Sequence, residues 1–151
     1  MSSKINRRTF IKTAATAGGA AAILPQTLFS LGSKKKVKVG FIGTGLRGQW
    51  MLWLASKYQE VEIPAICDID NGMINNALKI LKDGGKPAPH IYKNGEEDFL
   101  NLLHNEELDG VYIATPWEWH HPMAVAAMKS GIHVGTEVPA ALTVEECWDL
   151  V

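Results

Sequence analysis

The chain has 151 residues, of which 15 are basic and 16 acidic, so its formal net charge is −1 at pH 7. This balance excludes the basic surface that nucleic-acid binding requires. Its two cysteines, Cys67 and Cys147, have neither metal-ligand spacing nor the number that a disulfide framework needs. We expect both to be structural thiols, and we assign no metal site.

The N-terminus predicts an export signal. Arg7 and Arg8 precede an Ala- and Gly-rich apolar run from Thr13 to about Leu31, which is the arrangement of a twin-arginine (Tat) signal and predicts the Tat export machinery as a partner. Glycines and a proline interrupt the run, so it is too broken and too weakly apolar for a stable membrane span. The alternative is a disordered basic tail or a short amphipathic helix. We assign residues 1–32 to the signal and expect a periplasmic or extracellular location.

Residues 36–48 predict a buried β-strand that runs into a glycine-rich turn and a helix. The β-branched and aromatic run ends at Ile42, and Gly43, Gly45 and Gly48 follow at G-x-G-x-x-G spacing. In this motif the first glycine permits the tight turn, the second lets the backbone approach a pyrophosphate, and the third lets the helix pack against its strand. The helix N-terminus then offers unpaired N–H groups to the phosphates.

A second predicted strand, residues 61–67, ends before Asp68, which lies 68 − 48 = 20 positions after the last glycine. An acidic residue at that offset accepts hydrogen bonds from both ribose hydroxyls of NAD. Pro64 interrupts the strand, so its paired part is expected to begin at Ala65. The order of strand, glycines, helix, strand and acid indicates a dinucleotide site, and the alternative is an ordinary glycine-rich turn.

Helices and strands alternate through the remaining chain. Helices are predicted over 46–57, 71–82 and 96–104, the first with Trp50 and Trp53 on its apolar side and the second with Asp70 as its N-cap. A fourth helix is predicted to begin with Pro122 at its first position, and a capping box at Thr143 opens a fifth. Further strands are predicted over 90–92, 111–114 and 133–136. Residues 33–151 are therefore expected to form an α/β, Rossmann-type doubly wound parallel sheet.

Two segments that follow predicted strands are unusual: Ala114-Thr-Pro-Trp-Glu-Trp-His-His-Pro122 and Thr136-Glu-Val-Pro139. With the glycine-rich turn, they resemble the nucleotide-binding half of the Gfo/Idh/MocA oxidoreductases, whose members commonly have A-T-P-N-x-x-H and E-K-P at these places. Trp117 replaces the usual asparagine. Val138 replaces the usual lysine, which serves near the nicotinamide in many dehydrogenases of the family. The combination is similar to one branch, the NAD-dependent glycosidases of glycoside hydrolase family 109.

This resemblance implies NAD as the cofactor and a glycoside, such as an α-N-acetylgalactosaminide, as the substrate. It implies hydrolysis without net oxidation: hydride leaves sugar C3, the C2 proton becomes acidic, the aglycone is eliminated, water adds, and the hydride returns. The acid and base residues are expected in a second domain beyond Val151, so this chain alone should bind NAD without catalysis. A homo-oligomer is left open. An exported NAD-dependent sugar dehydrogenase is the alternative, and a non-enzymatic NAD-binding module is a third reading.

The glycine motif and the resemblance together assign the cofactor contacts to residues that follow the strands. These candidates are Gly43, Gly45, Leu46, Arg47, Gly48, Asp68, Trp117, Glu118, Trp119, His120, Glu137 and Val138. Trp117 and Trp119 could instead cap the end of the sheet, and Glu118 could be a solvated carboxylate. His121 is expected to be no more than the lead-in to a helix.

Overall fold

The computed structural model describes residues 36–151 of the chain. The predicted export signal, residues 1–32, lies outside the described residues and stays a prediction. Within residues 36–151, no helix is both long enough and apolar enough to cross a membrane.

The described residues form six strands and five helices, which alternate along the chain except that β3 follows β2 directly. In order, they are β1 (Val37–Ile42), α1 (Leu46–Ser56), β2 (Val61–Glu62), β3 (Ala65–Cys67), α2 (Asn71–Asp83), β4 (His90–Tyr92), α3 (Asp98–Asn105), β5 (Gly110–Ile113), α4 (Trp117–Lys129), β6 (His133–Thr136) and α5 (Val144–Asp149). All paired strands are parallel, in the order β4-β3-β1-β5-β6, and β2 pairs with the start of β1. The predicted doubly wound parallel sheet is confirmed.

The two faces of the sheet carry separate apolar clusters because successive strand side chains point to opposite sides. Phe41 of β1 lies in the cluster formed with α1 and α2. Ile42, the next residue, lies in the cluster formed with α3 and α4. Helices therefore cover both faces, and β1 stands at the centre, where the strand order reverses.

Several local predictions are confirmed by the structure. Pro64 separates β2 from β3, and pairing resumes at Ala65. The Asp70 side chain accepts a hydrogen bond from the backbone N–H of Met73 and caps α2. Thr143 and Glu146 form the predicted reciprocal capping box at the start of α5.

The prediction that Trp50 and Trp53 lie on the apolar, buried side of α1 is wrong. Trp50 and Trp53 are 50% and 48% exposed, and α1 instead buries Gly48, Leu52 and Ser56, which are four residues apart. Two small residues in this stripe let the helix lie close to the sheet, which leaves the large rings on the outer side. Basic side chains stack over both rings there.

The predicted start of α4 is also wrong. Pro122 was expected at the first position, but the helix begins five residues earlier, at Trp117, with Pro116 in the N-cap position. Pro122 is therefore inside the helix, where it lacks the N–H that would bond one turn back. The residues just before Pro122, which were not predicted as helix, form the first turn of α4.

Asp98 opens α3 with a buried carboxylate. It accepts hydrogen bonds from the side-chain amide of Asn101 at 2.7 Å and from the backbone N–H of Asn94 at 2.8 Å. The bond from Asn101, followed by the bond from Asn94, lowers the pKa of the Asp98 carboxyl below its ordinary value of 3.8. These bonds fix the loop before α3, where the helix was predicted to begin at residue 96.

We expect Asp98→Asn to destabilise the protein by about 1–3 kcal/mol at neutral pH. A neutral amide oxygen accepts weaker hydrogen bonds than a carboxylate, and the new NH₂ group would face one of the N–H donors that now bond to Asp98. A lowered pKa means that ionised Asp98 contributes stability above its unfolded pKa and loses it as the pH falls through the folded pKa. The difference between the wild type and the variant should therefore shrink in acid. Urea unfolding across this range measures it, with Asp83→Asn, an exposed change at the end of α2, as the control. A difference that is constant with pH would contradict the assignment.

Candidate cofactor site

A cleft of about 550 Å³ opens at the carboxyl ends of β1, β3 and β5. Four segments line it: the glycine-rich turn with the start of α1, the residues from the end of β3 into the first turn of α2, the loop before α3, and the residues from the end of β5 into the first two turns of α4. In an open parallel sheet, ligands bind at this edge, where the strand order reverses. The volume is in the range of small-molecule sites.

Seven of the twelve candidate contacts line this cleft: Gly43, Gly45, Leu46, Arg47, Asp68, Glu118 and Trp119. Five do not: Gly48, Trp117, His120, Glu137 and Val138. The structure thus brings most of the candidates together. Contact of each residue with a cofactor stays a prediction.

The glycine-rich turn has no room for side chains at two of its positions. Gly43 has a φ of +86°, and a Cβ there would lie 2.6 Å from the carbonyl oxygen of Ala114. A Cβ on Gly48 would overlap the carbonyl oxygen of Gly43. A Cβ on Gly45, in contrast, would meet no atom within 4 Å, because this residue faces the open cleft.

The N-terminus of α1 fits a phosphate group. Gly45 occupies the N-cap position without a side-chain cap, and the first turn of the helix carries no acidic residue. The first N–H groups of the helix therefore have no side-chain acceptor, and the helix dipole favours an anion there. Open space in front of Gly45 and free N–H groups together form a cradle for a pyrophosphate.

Asp68 is held by the turn that it faces. Its Oδ2 accepts hydrogen bonds from the backbone N–H of Thr44 at 2.6 Å and from the Thr44 hydroxyl at 2.9 Å, and its Oδ1 accepts one from the backbone N–H of Asp70. A carboxylate has about four acceptor positions. One position is left for a ribose hydroxyl, so accepting two would require the Thr44 hydroxyl to turn away.

The first turn of α4 distributes its side chains around the helix axis. Glu118 and Trp119 line the cleft, and the Trp119 ring packs edge-on against Phe99 with centroids 6.3 Å apart. Trp117 points outward and is 62% exposed. Consecutive helical residues are rotated by about a quarter turn, so one turn cannot present all four predicted side chains to the same ligand.

His120 is buried, with 1% of its surface exposed. Its Nε2 lies 2.8 Å from the carbonyl oxygen of Thr115, and its Nδ1 lies 2.8 Å from the carbonyl oxygen of Pro139. The ring therefore links the segment after β5 to the segment after β6. In this arrangement neither ring nitrogen faces the cleft that Thr115 lines.

Glu137 connects the end of β6 to the start of α1. Its Oε1 accepts hydrogen bonds from the Arg47 Nε–H at 2.5 Å and from the Tyr112 hydroxyl. The bonds from Tyr112 and then Arg47 lower the pKa of Glu137. Burial, followed by the bond to Glu137, raises the pKa of Tyr112 to about 12. The neighbouring Val138 is 80% exposed and lies outside the cleft lining.

Three polar side chains at or near the cleft were not predicted from the sequence. Thr44 is fully buried inside the glycine motif, and its position between two motif glycines could have drawn attention to it. Glu96 lines the cleft from the loop before α3, a segment that was predicted as helix. Tyr112 was recognised only as part of a strand, and nothing local in the sequence shows that its hydroxyl meets Glu137.

The strand order, the glycine-rich turn and Asp68 define a dinucleotide-binding domain of the Rossmann class. A family model described as "Oxidoreductase family, NAD-binding Rossmann fold" (GFO_IDH_MocA) matches residues 37–151. The chain therefore belongs to the Gfo/Idh/MocA oxidoreductase family, and its cofactor is NAD.

Two curated relatives indicate which branch of the family the chain is most similar to in sequence. The chain is 46% identical to a glycosyl hydrolase family 109 protein of Parabacteroides distasonis, an alignment that covers 96% of this chain and 34% of that protein. It is also 46% identical to an α-N-acetylgalactosaminidase of Tannerella forsythia, covering 96% of this chain and 35% of that enzyme. These relatives confirm the resemblance to family 109. The chain spans about a third of the length of the curated relatives that it matches.

A solved structure of the same fold holds the cofactor. Myo-inositol dehydrogenase from Lactobacillus casei, in complex with NAD(H) and myo-inositol, is 27% identical to this chain with a TM-score of 0.62. The match covers 76% of this chain and 32% of that one. The fold and the open cradle at Gly45 are both consistent with an NAD-binding domain.

Gly45→Ala should separate cofactor binding from folding. The backbone of Gly45, with φ of −63° and ψ of −169°, accepts alanine, and the added methyl group meets no protein atom, so the expected loss of stability is below about 1 kcal/mol. The methyl group projects into the cradle, and we expect about tenfold weaker NAD binding by calorimetric titration.

Gly48→Ala is the matched control, because its methyl group would overlap backbone instead of the cleft. It should lower the thermal unfolding midpoint, whereas Gly45→Ala should not. Wild-type NAD affinity in Gly45→Ala would contradict the assignment of the cradle.

Asp68 should make the protein prefer NAD to NADP, because a 2′-phosphate would meet its negative charge. We expect a preference of about 1–3 kcal/mol, which Asp68→Asn should largely remove in parallel titrations of both nucleotides. Asp70→Asn is the control: it removes a nearby charge outside the cleft lining, and asparagine also caps helices well. Equal affinity of the wild type for both nucleotides would show that Asp68 does not face the ribose.

Proposed function

We propose that the whole protein is an exported, NAD-dependent glycosidase that hydrolyses α-N-acetylgalactosaminides or related glycosides without net oxidation. The observation that carries the proposal is the 46% identity to a protein named α-N-acetylgalactosaminidase, across 96% of this chain. Arg7 and Arg8 support export. Trp117 and Val138 support the reaction class, since they depart from the residues that the dehydrogenases of the family commonly have.

The described residues would contribute the cofactor site of this enzyme. The N–H groups at the start of α1 and the guanidinium of Arg47 place positive charge where a pyrophosphate would bind. Asp68 offers an acceptor to the ribose. Glu118 and Trp119 bound the cleft on the side of α4.

The chemistry that NAD supplies when bound is reversible hydride transfer at a sugar carbon. A glycosidase that works in this way does not need two carboxylates that flank the glycosidic bond, as ordinary glycosidases do. The task of the described residues is to bind the cofactor and to keep it oriented through the whole turnover. The walls of the cleft come from three strand ends and three helices, and they suit that task.

The second candidate is an exported sugar dehydrogenase of the same family, which would release reduced cofactor. Its support is the likeness to myo-inositol dehydrogenase. The two candidates differ in a measurable quantity, because a dehydrogenase forms one NADH for each sugar oxidised and a redox-neutral hydrolase accumulates none.

We expect the full-length protein to release p-nitrophenol from p-nitrophenyl N-acetyl-α-galactosaminide or a related glycoside without a rise in NADH absorbance. Deuterium at sugar C2 should exchange into solvent, since the proposed route removes that proton. Gly45→Ala is the control for cofactor dependence, and its rate at limiting NAD should fall as its NAD affinity falls. Stoichiometric NADH formation would make the protein a dehydrogenase, and aglycone release without C2 exchange would exclude the proposed route.

A further inference from the structure

Three side chains from separate parts of the fold meet at the edge of the cleft. Arg47 lies in the first turn of α1, Tyr112 in β5, and Glu137 directly after β6. The Arg47 Nε–H and the Tyr112 hydroxyl donate to the same carboxylate oxygen of Glu137. We name this group the Arg47 clasp.

We propose that Tyr112, which does not line the cleft, is a positioning residue for NAD binding: through Glu137, it holds the Arg47 guanidinium in place for the cofactor. The proposal rests on the contact between Arg47 and NAD put forward under Proposed function, but not on glycoside hydrolysis.

Arg47 is the part of the clasp that lines the cleft, and its side chain is 56% exposed. A long, exposed side chain loses rotamer freedom when a ligand fixes it, and that loss weakens binding. Two contacts fix Arg47 in advance: the bond to Glu137 and the ring of Trp50, whose centroid lies 4.9 Å from the guanidinium carbon. Arginine has five N–H donors, so the bond from Nε leaves donors for a phosphate.

Tyr112 provides the fixed end of the clasp. It belongs to β5, which pairs with the central strand β1, and its ring packs against Phe41 with centroids 5.7 Å apart. Glu137 is half-buried and follows a strand at the edge of the described sheet. The Tyr112 hydroxyl therefore ties Glu137 to the centre of the sheet, and Glu137 in turn ties Arg47.

The test is NAD titration of the full-length protein with Tyr112→Phe, which removes the hydroxyl and keeps the ring. We expect the Kd to rise about three- to tenfold, the range for one net hydrogen bond. Tyr92→Phe is the matched control. The Tyr92 hydroxyl also donates to a glutamate, Glu106 at 2.8 Å, but Tyr92 lies on β4 and outside the cleft lining. Its Kd for NAD should not change.

A double-mutant cycle distinguishes positioning from general support of the fold. Arg47→Ala should weaken NAD binding, and adding Tyr112→Phe to it should have no further effect. Thermal unfolding midpoints check that each variant is folded. If Tyr112→Phe does not fold, Glu137→Leu, which keeps about the size of the side chain and removes the shared acceptor, should reproduce the loss.

The possible contrary results distinguish a failure of the proposed contact between Arg47 and NAD from a failure of the proposed role of Tyr112. Unchanged NAD affinity in Arg47→Ala would remove both the proposed contact and the clasp. Weaker binding in Arg47→Ala with no effect of Tyr112→Phe would overturn the clasp alone. An equal effect of Tyr112→Phe in both backgrounds would show that Tyr112 acts by another route.

Discussion

The close approach of the glycine-rich turn to the end of β5 is the contact on which the rest of the site depends. At Gly43 the backbone lies so near Ala114 that a Cβ would come within 2.6 Å of its carbonyl oxygen, and at Gly48 the helix lies against the turn itself. Because no side chain separates these segments, the N-terminus of α1 reaches the edge of the sheet. Its N–H groups then border the cleft that β3 and β5 complete.

Helical geometry decides which residues of the Trp117–His120 segment reach this cleft. The helix starts at Trp117, so the segment is wound around an axis instead of lying extended along the sheet edge. Two of its side chains enter the cleft, one faces solvent, and His120 turns into the protein, where it joins the loops after β5 and β6. The histidine of the motif thus supports the walls of the site.

Two charged side chains of the cleft, Asp68 and Arg47, are held by hydrogen bonds before any ligand arrives. Asp68 is bonded to the glycine-rich turn, and Arg47 is bonded to Glu137, which lies 90 residues further along the chain. Such pairing lowers the freedom of both side chains and therefore the entropy that binding must remove. A cofactor that stays bound through a turnover, as the proposed hydrolysis requires, is suited to a site that is arranged in advance.

The fold and most of the site follow from local features of the sequence. The G-x-G-x-x-G spacing and the alternation of strands and helices predict a Rossmann sheet, and Asp68 lies in the cleft because it directly follows a strand. These features can be predicted from the sequence because each depends on residues that are neighbours in the chain or on a fixed periodicity.

Other features were decided only by tertiary structure. Pro122 is typical of a helix start, yet packing begins α4 at Trp117; the tryptophans of α1 look like core residues, yet the close approach of Gly48 leaves them outside. Tyr112 and Glu137 meet because β5 and β6 are paired in parallel register, with Ile113 opposite Thr136. Contacts of this kind join residues far apart in sequence, so no local pattern encodes them, and they exist only once the sheet has formed.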